Sequence, residues 1–200
     1  RGPMTAEHAA PLQQNAAPQT APPQDVRVGV IGVGRMGADH VERITRRIKG
    51  ARVSVLSDYL RETAEKVSQA APGSRVVDTW QEVVAAEDVD AVLIASPGEF
   101  HREQVLACIE AGKPVLCEKP LAMTSTQTAE LLQLANASGL VHAVNFNQRF
   151  YAQNLRARAA ITGGDIGQVR LVSGGFLQDW LLYDTDWSWR LEPELGGDLG

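Results

Sequence analysis

Gly32-Val33-Gly34-Arg35-Met36-Gly37 follows the β-branched run Val26 to Ile31 and opens a helical stretch. G-x-G-x-x-G in that setting suits a diphosphate: Gly32 permits the tight turn, Gly34 lets the phosphates reach the backbone, and Gly37 allows close helix-to-strand packing. The first helical residues, Arg35 and Met36, bring oriented amides to the same anion. Asp58 follows the next strand, where a carboxylate can accept hydrogen bonds from ribose hydroxyls. This favours NAD over NADP. A plainer role for Asp58 is to cap the next helix, and Arg61 nearby leaves room for a 2′-phosphate.

Two more groupings follow strands. Ser96-Pro97-Gly98-Glu99-Phe100-His101 lies just past Ala91 to Ala95, on the edge where doubly wound sheets bind ligands, and suggests cofactor contact through Ser96, Pro97 and His101. It also reads as an ordinary turn with His101 starting a helix. Glu118-Lys119-Pro120 lies past Pro114 to Cys117. Proline holds the preceding residue extended, so Lys119 projects from the turn. A lysine in a partly dry cleft can share the proton that an alcohol loses when its hydride leaves. The alternative is an exposed turn on which Lys119 pairs with Glu118.

Positioning these groups requires a parallel sheet. The strand candidates are Val26 to Ile31, Arg52 to Leu56, Val76 to Asp78, Ala91 to Ala95, Pro114 to Cys117 and Val141 to Asn145. Helices are expected at Gly37 to Lys49, Leu60 to Ala70, Trp80 to Ala85, His101 to Ala111 and Thr126 to Ser138. Gly50, Gly112 and Gly139 are placed to end helices, and Thr79 with Ser125 or Thr124 to start them. Right-handed crossovers then wind a Rossmann-type α/β fold over residues 25 to 148.

Residues 1 to 24 hold five of the ten prolines and no hydrophobic period, so they read as a flexible arm, either a disordered extension or one that wraps a neighbouring subunit. From 149 to 200 a helix at Ala152 to Thr162, a strand at Gln168 to Phe176 and an aromatic-rich stretch predict the start of a second domain. One helix and one strand cannot close a core, so this domain is expected to be incomplete at Gly200.

A net charge of −5 with 44% hydrophobic and 22% charged residues makes nucleic acid and anionic membrane poor partners. No apolar run approaches the roughly 20 residues of a membrane span, and no secretory signal is visible, so a cytoplasmic location is the default. Two cysteines make neither a disulfide framework nor a zinc site, and the four histidines lack metal-ligand spacing. Cys108 and Cys117 are expected to be reduced packing residues.

The glycine loop, the segment Ser96 to His101, Ala111-Gly112-Lys113-Pro114-Val115-Leu116-Cys117-Glu118-Lys119-Pro120, and Asn145-Phe146-Asn147-Gln148-Arg149-Phe150 together resemble the Gfo/Idh/MocA oxidoreductases, the glucose-fructose oxidoreductase and inositol dehydrogenase-like proteins. The similarity runs nearly continuously from residue 26 to 200. It implies that Lys119 lies beside the nicotinamide and the substrate hydroxyl, that Glu118 lines the nicotinamide site, and that Asn147 and Arg149 face the cofactor. Trp187, Trp189 and Arg190 look like the family's Trp-Arg element, which also approaches the cofactor, although aromatic packing at a domain interface fits them equally well. Phe176 to Trp180 looks like the family's sugar-facing stretch, with Gln178 and Asp179 as substrate contacts. The resemblance implies a second α+β domain with an open, mostly antiparallel sheet that mediates homo-oligomer formation.

Two departures stand out. Gly98 replaces the asparagine that many members carry, and the Asp and His that members carry after the Gly-Gly element fall beyond Gly200. The leading expectation is an NAD(P)-dependent oxidoreductase of sugar or polyol hydroxyls. The alternatives are a non-catalytic dinucleotide-binding regulator and an enzyme that uses NAD transiently to cleave glycosides.

Overall fold

The computed structural model describes residues 24–177, 179, 181–188 and 191–192. Six parallel strands run in the order β3-β2-β1-β4-β5-β6. They are β1 Val26–Ile31, β2 Ala51–Ser57, β3 Arg75–Val76, β4 Ala91–Ile94, β5 Val115–Cys117 and β6 His142–Val144. The helices are α1 Arg35–Arg46, α2 Arg61–Ser68, α3 Trp80–Ala85, α4 Gly98–Glu110, α5 Ser125–Ser138 and α6 Ala152–Thr162, with a 3₁₀ turn at Asn147–Phe150. The order reverses direction between β1 and β4, the switch point at which doubly wound sheets open a ligand crevice.

The central strands carry apolar residues toward both sides because helices cover both faces of the sheet. Val30, Val41, Ile44, Leu56 and Leu93 pack on one side, and Ile31, Val55, Val83, Ile94, Cys108 and Leu131 on the other. Along β2, Ser54 has no partner in β1, because Val28 pairs with Val53 and Gly29 with Val55. That extra residue reverses the alternation of faces, so Val53 and Val55 serve different cores. Both cysteines are buried free thiols, and burial pushes Cys108 up to about 12 and raises Cys117 as well.

Local chemistry sets the helix limits. Thr79 and Glu82 form a capping box at α3, Thr124 caps α5 by accepting the Gln127 amide, and Gly139 ends α5 at φ 68°. Four expectations need correction. Helix α1 starts two residues earlier than expected, within the glycine loop, and ends at Arg46, so Gly50 turns the chain into β2 instead of capping a helix. Helix α4 begins at Gly98, not His101, because Pro97 already supplies the extended N-cap backbone. Strand β3 stops at Val76. Residues 168–177, as far as they are described, form no strand and are exposed, since no neighbouring strand among the described residues offers a ladder. Among the described residues, no helix is long and apolar enough to cross a membrane, and no group of three His, Cys, Asp or Glu side chains is placed to hold a metal.

Candidate dinucleotide site

Strand register places the site. Ile31 pairs with Ser57 on one side and Ile94 on the other, Ile94 pairs with Cys117, and Cys117 with Val144. The next residues, Asp58, Gly32, Ala95, Glu118 and Asn145, therefore emerge side by side at the carboxyl edge of the sheet. At about 4.8 Å between neighbouring strands, Asp58 and Glu118 stand roughly 14 Å apart, with the glycine loop between them.

The loop has little freedom. Gly32 adopts φ 79°, and a Cβ there would lie 2.6 Å from the Ser96 nitrogen and 2.7 Å from its Cα. A Cβ on Gly37 would collide with the Gly32 carbonyl oxygen. Gly34 differs, because a Cβ there would meet nothing within 4 Å. It is the N-cap of α1 and no side chain caps the helix, which leaves the first amides beside this open space. Uncapped amides and a vacant approach above Gly34 fit a diphosphate, and Arg35 and Met36 flank them at the exposed surface.

Asp58 has two structural bonds: Oδ2 accepts the Val33 amide at 2.8 Å and Oδ1 accepts the Leu60 amide at 3.0 Å. A carboxylate offers about four acceptor positions, so ribose hydroxyls can still be received. Arg61 is engaged by Asp78 and by Glu65 at 2.8 Å, which directs its guanidinium toward carboxylates.

On the other side of the loop, Ser96 donates its hydroxyl to Gln104 at 2.6 Å, and its oxygen can only accept from a ligand. His101 is 1% exposed, with Nδ1 2.7 Å from the Pro120 carbonyl and Nε2 2.8 Å from the Ser96 carbonyl. Neither ring nitrogen is left for a ligand, so His101 ties the loops after β4 and β5 together, in place of the cofactor contact expected from sequence.

Glu118 is 7% exposed. Its Oε1 accepts His40 Nε2 at 2.8 Å and Asn145 Nδ2 at 2.7 Å, and its Oε2 accepts the Lys119 amide at 3.2 Å. Burial pushes this carboxyl up, but the bonds from His40, Asn145 and the amide outweigh it and hold Glu118 at about 2. The side chain of Glu118 is thus taken up by His40 of α1 and Asn145 just beyond β6, and Lys119 stands exposed at the edge. The Lys119-Pro120 peptide is cis. Asn147 and Arg149 lie in the exposed 3₁₀ turn beyond β6.

Sequence reasoning missed His40. Only its position one helical turn past the glycine loop pointed to it, since its partners lie 78 and 105 residues away. Asp179 and Trp187 are exposed, and Gln178, Trp189 and Arg190 lie outside the described residues.

A glycine loop at β1, an acid after β2 and polar turns after β4 and β5 define a dinucleotide-binding protein of the doubly wound class. Residues 26–146 match the family model of the Gfo/Idh/MocA proteins, an oxidoreductase family with an NAD-binding Rossmann fold. The chain belongs to that family. It is similar to the inositol 2-dehydrogenase of Rhodococcus erythropolis, 48% identical over 150 residues that cover 74% of this chain and 43% of that protein. The Rhodococcus jostii inositol 2-dehydrogenase is 45% identical over 148 residues, covering 74% and 40%. Among solved structures, myo-inositol dehydrogenase from Lactobacillus casei in complex with NAD(H) and myo-inositol aligns with a TM-score of 0.68 at 32% identity, covering 72% of this chain and 43% of that one. The chain spans less than half the length of these relatives.

Proposed function

We propose that this chain is the cofactor-binding part of an NAD-dependent polyol dehydrogenase acting on inositol or a related cyclic polyol. Relatives named as inositol 2-dehydrogenases and the NAD(H)–myo-inositol complex support the substrate class. The observation that carries the reading is the row Asp58, Gly32, Ala95, Glu118, Asn145 along one edge of the sheet, with Lys119 beside it; the reading makes Asp58 the ribose acceptor and the glycine loop the phosphate cradle.

The uncapped amides of α1 bind the diphosphate, with Gly34 leaving room for it, and Asp58 orients the adenosine ribose. Ser96, Pro97, Asn147 and Arg149 border the remaining course of the ligand, and Trp189 and Arg190 join them on the strength of family resemblance. The nicotinamide, when bound, accepts or returns the hydride. Lys119 holds the substrate hydroxyl and shares its proton, and Gln178 and Asp179 contact the polyol. Its oligomers form through the second-domain sheet.

The test is a fluorescence titration with NADH and NADPH, run with Asp58→Ala and Lys119→Ala. We expect NADH to bind in preference to NADPH, Asp58→Ala to lose that binding, and Lys119→Ala to keep it. In the protein extended to the length of its relatives, Lys119→Ala should abolish oxidation of myo-inositol. Full turnover by Lys119→Ala, or no binding of either cofactor, would refute the reading.

A further inference from the structure

Glu118 is held more firmly than a turn requires. Three donors from three segments converge on its carboxylate: His40 of α1, Asn145 beyond β6 and the Lys119 amide. The donors keep it ionised, and no bond joins it to the Lys119 ammonium, whose charge is therefore left for other work. The Glu118 carboxylate can only accept, so Nε2 of His40 donates to it and holds a negative oxygen in a fixed place. Buried charges are weakly screened, so this one acts on whatever lies beside it.

Geometry decides which end of the ligand that is. With the diphosphate at the glycine loop over β1 and the adenosine ribose at Asp58 over β2, the rest of a dinucleotide must run the other way, over β4 and β5. Glu118 lies on that side. An oxidised nicotinamide ring is cationic and a reduced one is neutral, so a fixed carboxylate there distinguishes the two forms by charge alone.

Building on the cofactor reading above, we propose that Glu118, held by His40 and Asn145 as positioning residues, biases this site toward the oxidised dinucleotide. The site then takes up NAD⁺ readily and releases NADH readily, which suits a dehydrogenase that works in the direction of alcohol oxidation. His40 acts only through Glu118, by fixing the carboxylate's place and keeping it charged.

The test measures dissociation constants for NAD⁺, NADH and ADP-ribose, the last reporting on the adenosine and diphosphate subsites without the nicotinamide ring. Glu118→Gln should raise the NAD⁺ constant about tenfold relative to that of NADH, roughly 1.4 kcal/mol, and leave ADP-ribose within about twofold. His40→Leu should move the NAD⁺/NADH ratio the same way, and His40→Gln, which restores a donor toward Oε1, should return it. An unchanged ratio in Glu118→Gln with ADP-ribose binding intact would overturn the inference. So would equal weakening of all three ligands in both His40 variants, the mark of a merely structural residue. Failure of the unmodified protein to bind ADP-ribose would instead sink the cofactor reading, and the inference with it.

Discussion

Asp58 accepts the Val33 amide at 2.8 Å, joining the end of β2 to the middle of the glycine loop. The acid expected to read the ribose thus also holds the phosphate cradle in shape. Hydrogen bonds to charged groups contribute about 1.5–3 kcal/mol. Asp58→Ala should therefore weaken NADH binding at least tenfold and also lower the thermal midpoint by a few degrees. Asp58→Asn can still accept the Val33 amide through its carbonyl oxygen, and should recover the midpoint more fully than the binding. Calorimetry and fluorescence titration on the two variants separate the roles.

The sheet was legible because its signals are local. Ala91 to Ile94 is a continuous apolar run and Val26 to Ile31 one interrupted by Arg27, both followed by turn residues, and Thr79 and Thr124 sit where caps belong. The row of Asp58, Gly32 and Glu118 was legible only as separate motifs, since register is a property of paired strands. The inward-facing ring of His101 was not legible, and His40 only through its place one helical turn past the glycine loop. Their partners are distant in sequence, and a histidine carries no periodic signature of burial. The strand expected at Gln168 to Phe176 shows the converse: β-propensity in Val169, Leu171 and Val172 forms no ladder without a neighbour.

Two glycines of one motif should separate stability from binding. A Cβ on Gly37 would press on the Gly32 carbonyl, a backbone atom that cannot turn aside. Gly37→Ala should cost about 3 kcal/mol or more in urea unfolding, at the upper end of overpacking penalties. Gly34 has φ −61° and open space around its missing Cβ. Gly34→Ala should change stability by less than about 1 kcal/mol and yet reduce NADH affinity tenfold or more, because the methyl group would occupy the diphosphate's approach. Equal effects of the two on unfolding would contradict this division.

Glu118 makes stability depend on acid. Its carboxyl falls from an ordinary 4.5 to about 2 in the folded chain, so the unfolded chain binds the proton more readily. The stabilisation is complete above about pH 4.5 and is lost as pH falls toward 2. Asp90, also near 2 through its bonds with Arg27, is far more exposed, and solvent screening reduces its share. Glu118→Gln should be less stable than the unmodified protein at pH 7, and the gap should shrink steadily between pH 4.5 and 2.5. Denaturant midpoints measured across that range check the slope. A gap independent of pH would mean that the carboxyl is not held ionised by His40 and Asn145.

Gly98 stands where the family resemblance leads us to expect an asparagine. A Cβ there would lie 3.6 Å from Pro120 Cγ and 3.8 Å from Met123 Sδ, ordinary contact distances, so the backbone admits a side chain. The position opens α4, whose N-cap Pro97 offers no side-chain acceptor. A side chain there would point toward Pro120, in the turn after β5 at the ligand edge of the sheet. Replacing glycine also lowers the entropy of the unfolded chain by about 0.4–1 kcal/mol. Gly98→Asn should therefore raise the unfolding midpoint slightly and lower the NADH dissociation constant several-fold. A stable variant with unchanged affinity would show that cofactor binding here does not draw on position 98, and that Ser96 and the α1 amides suffice on this side of the site.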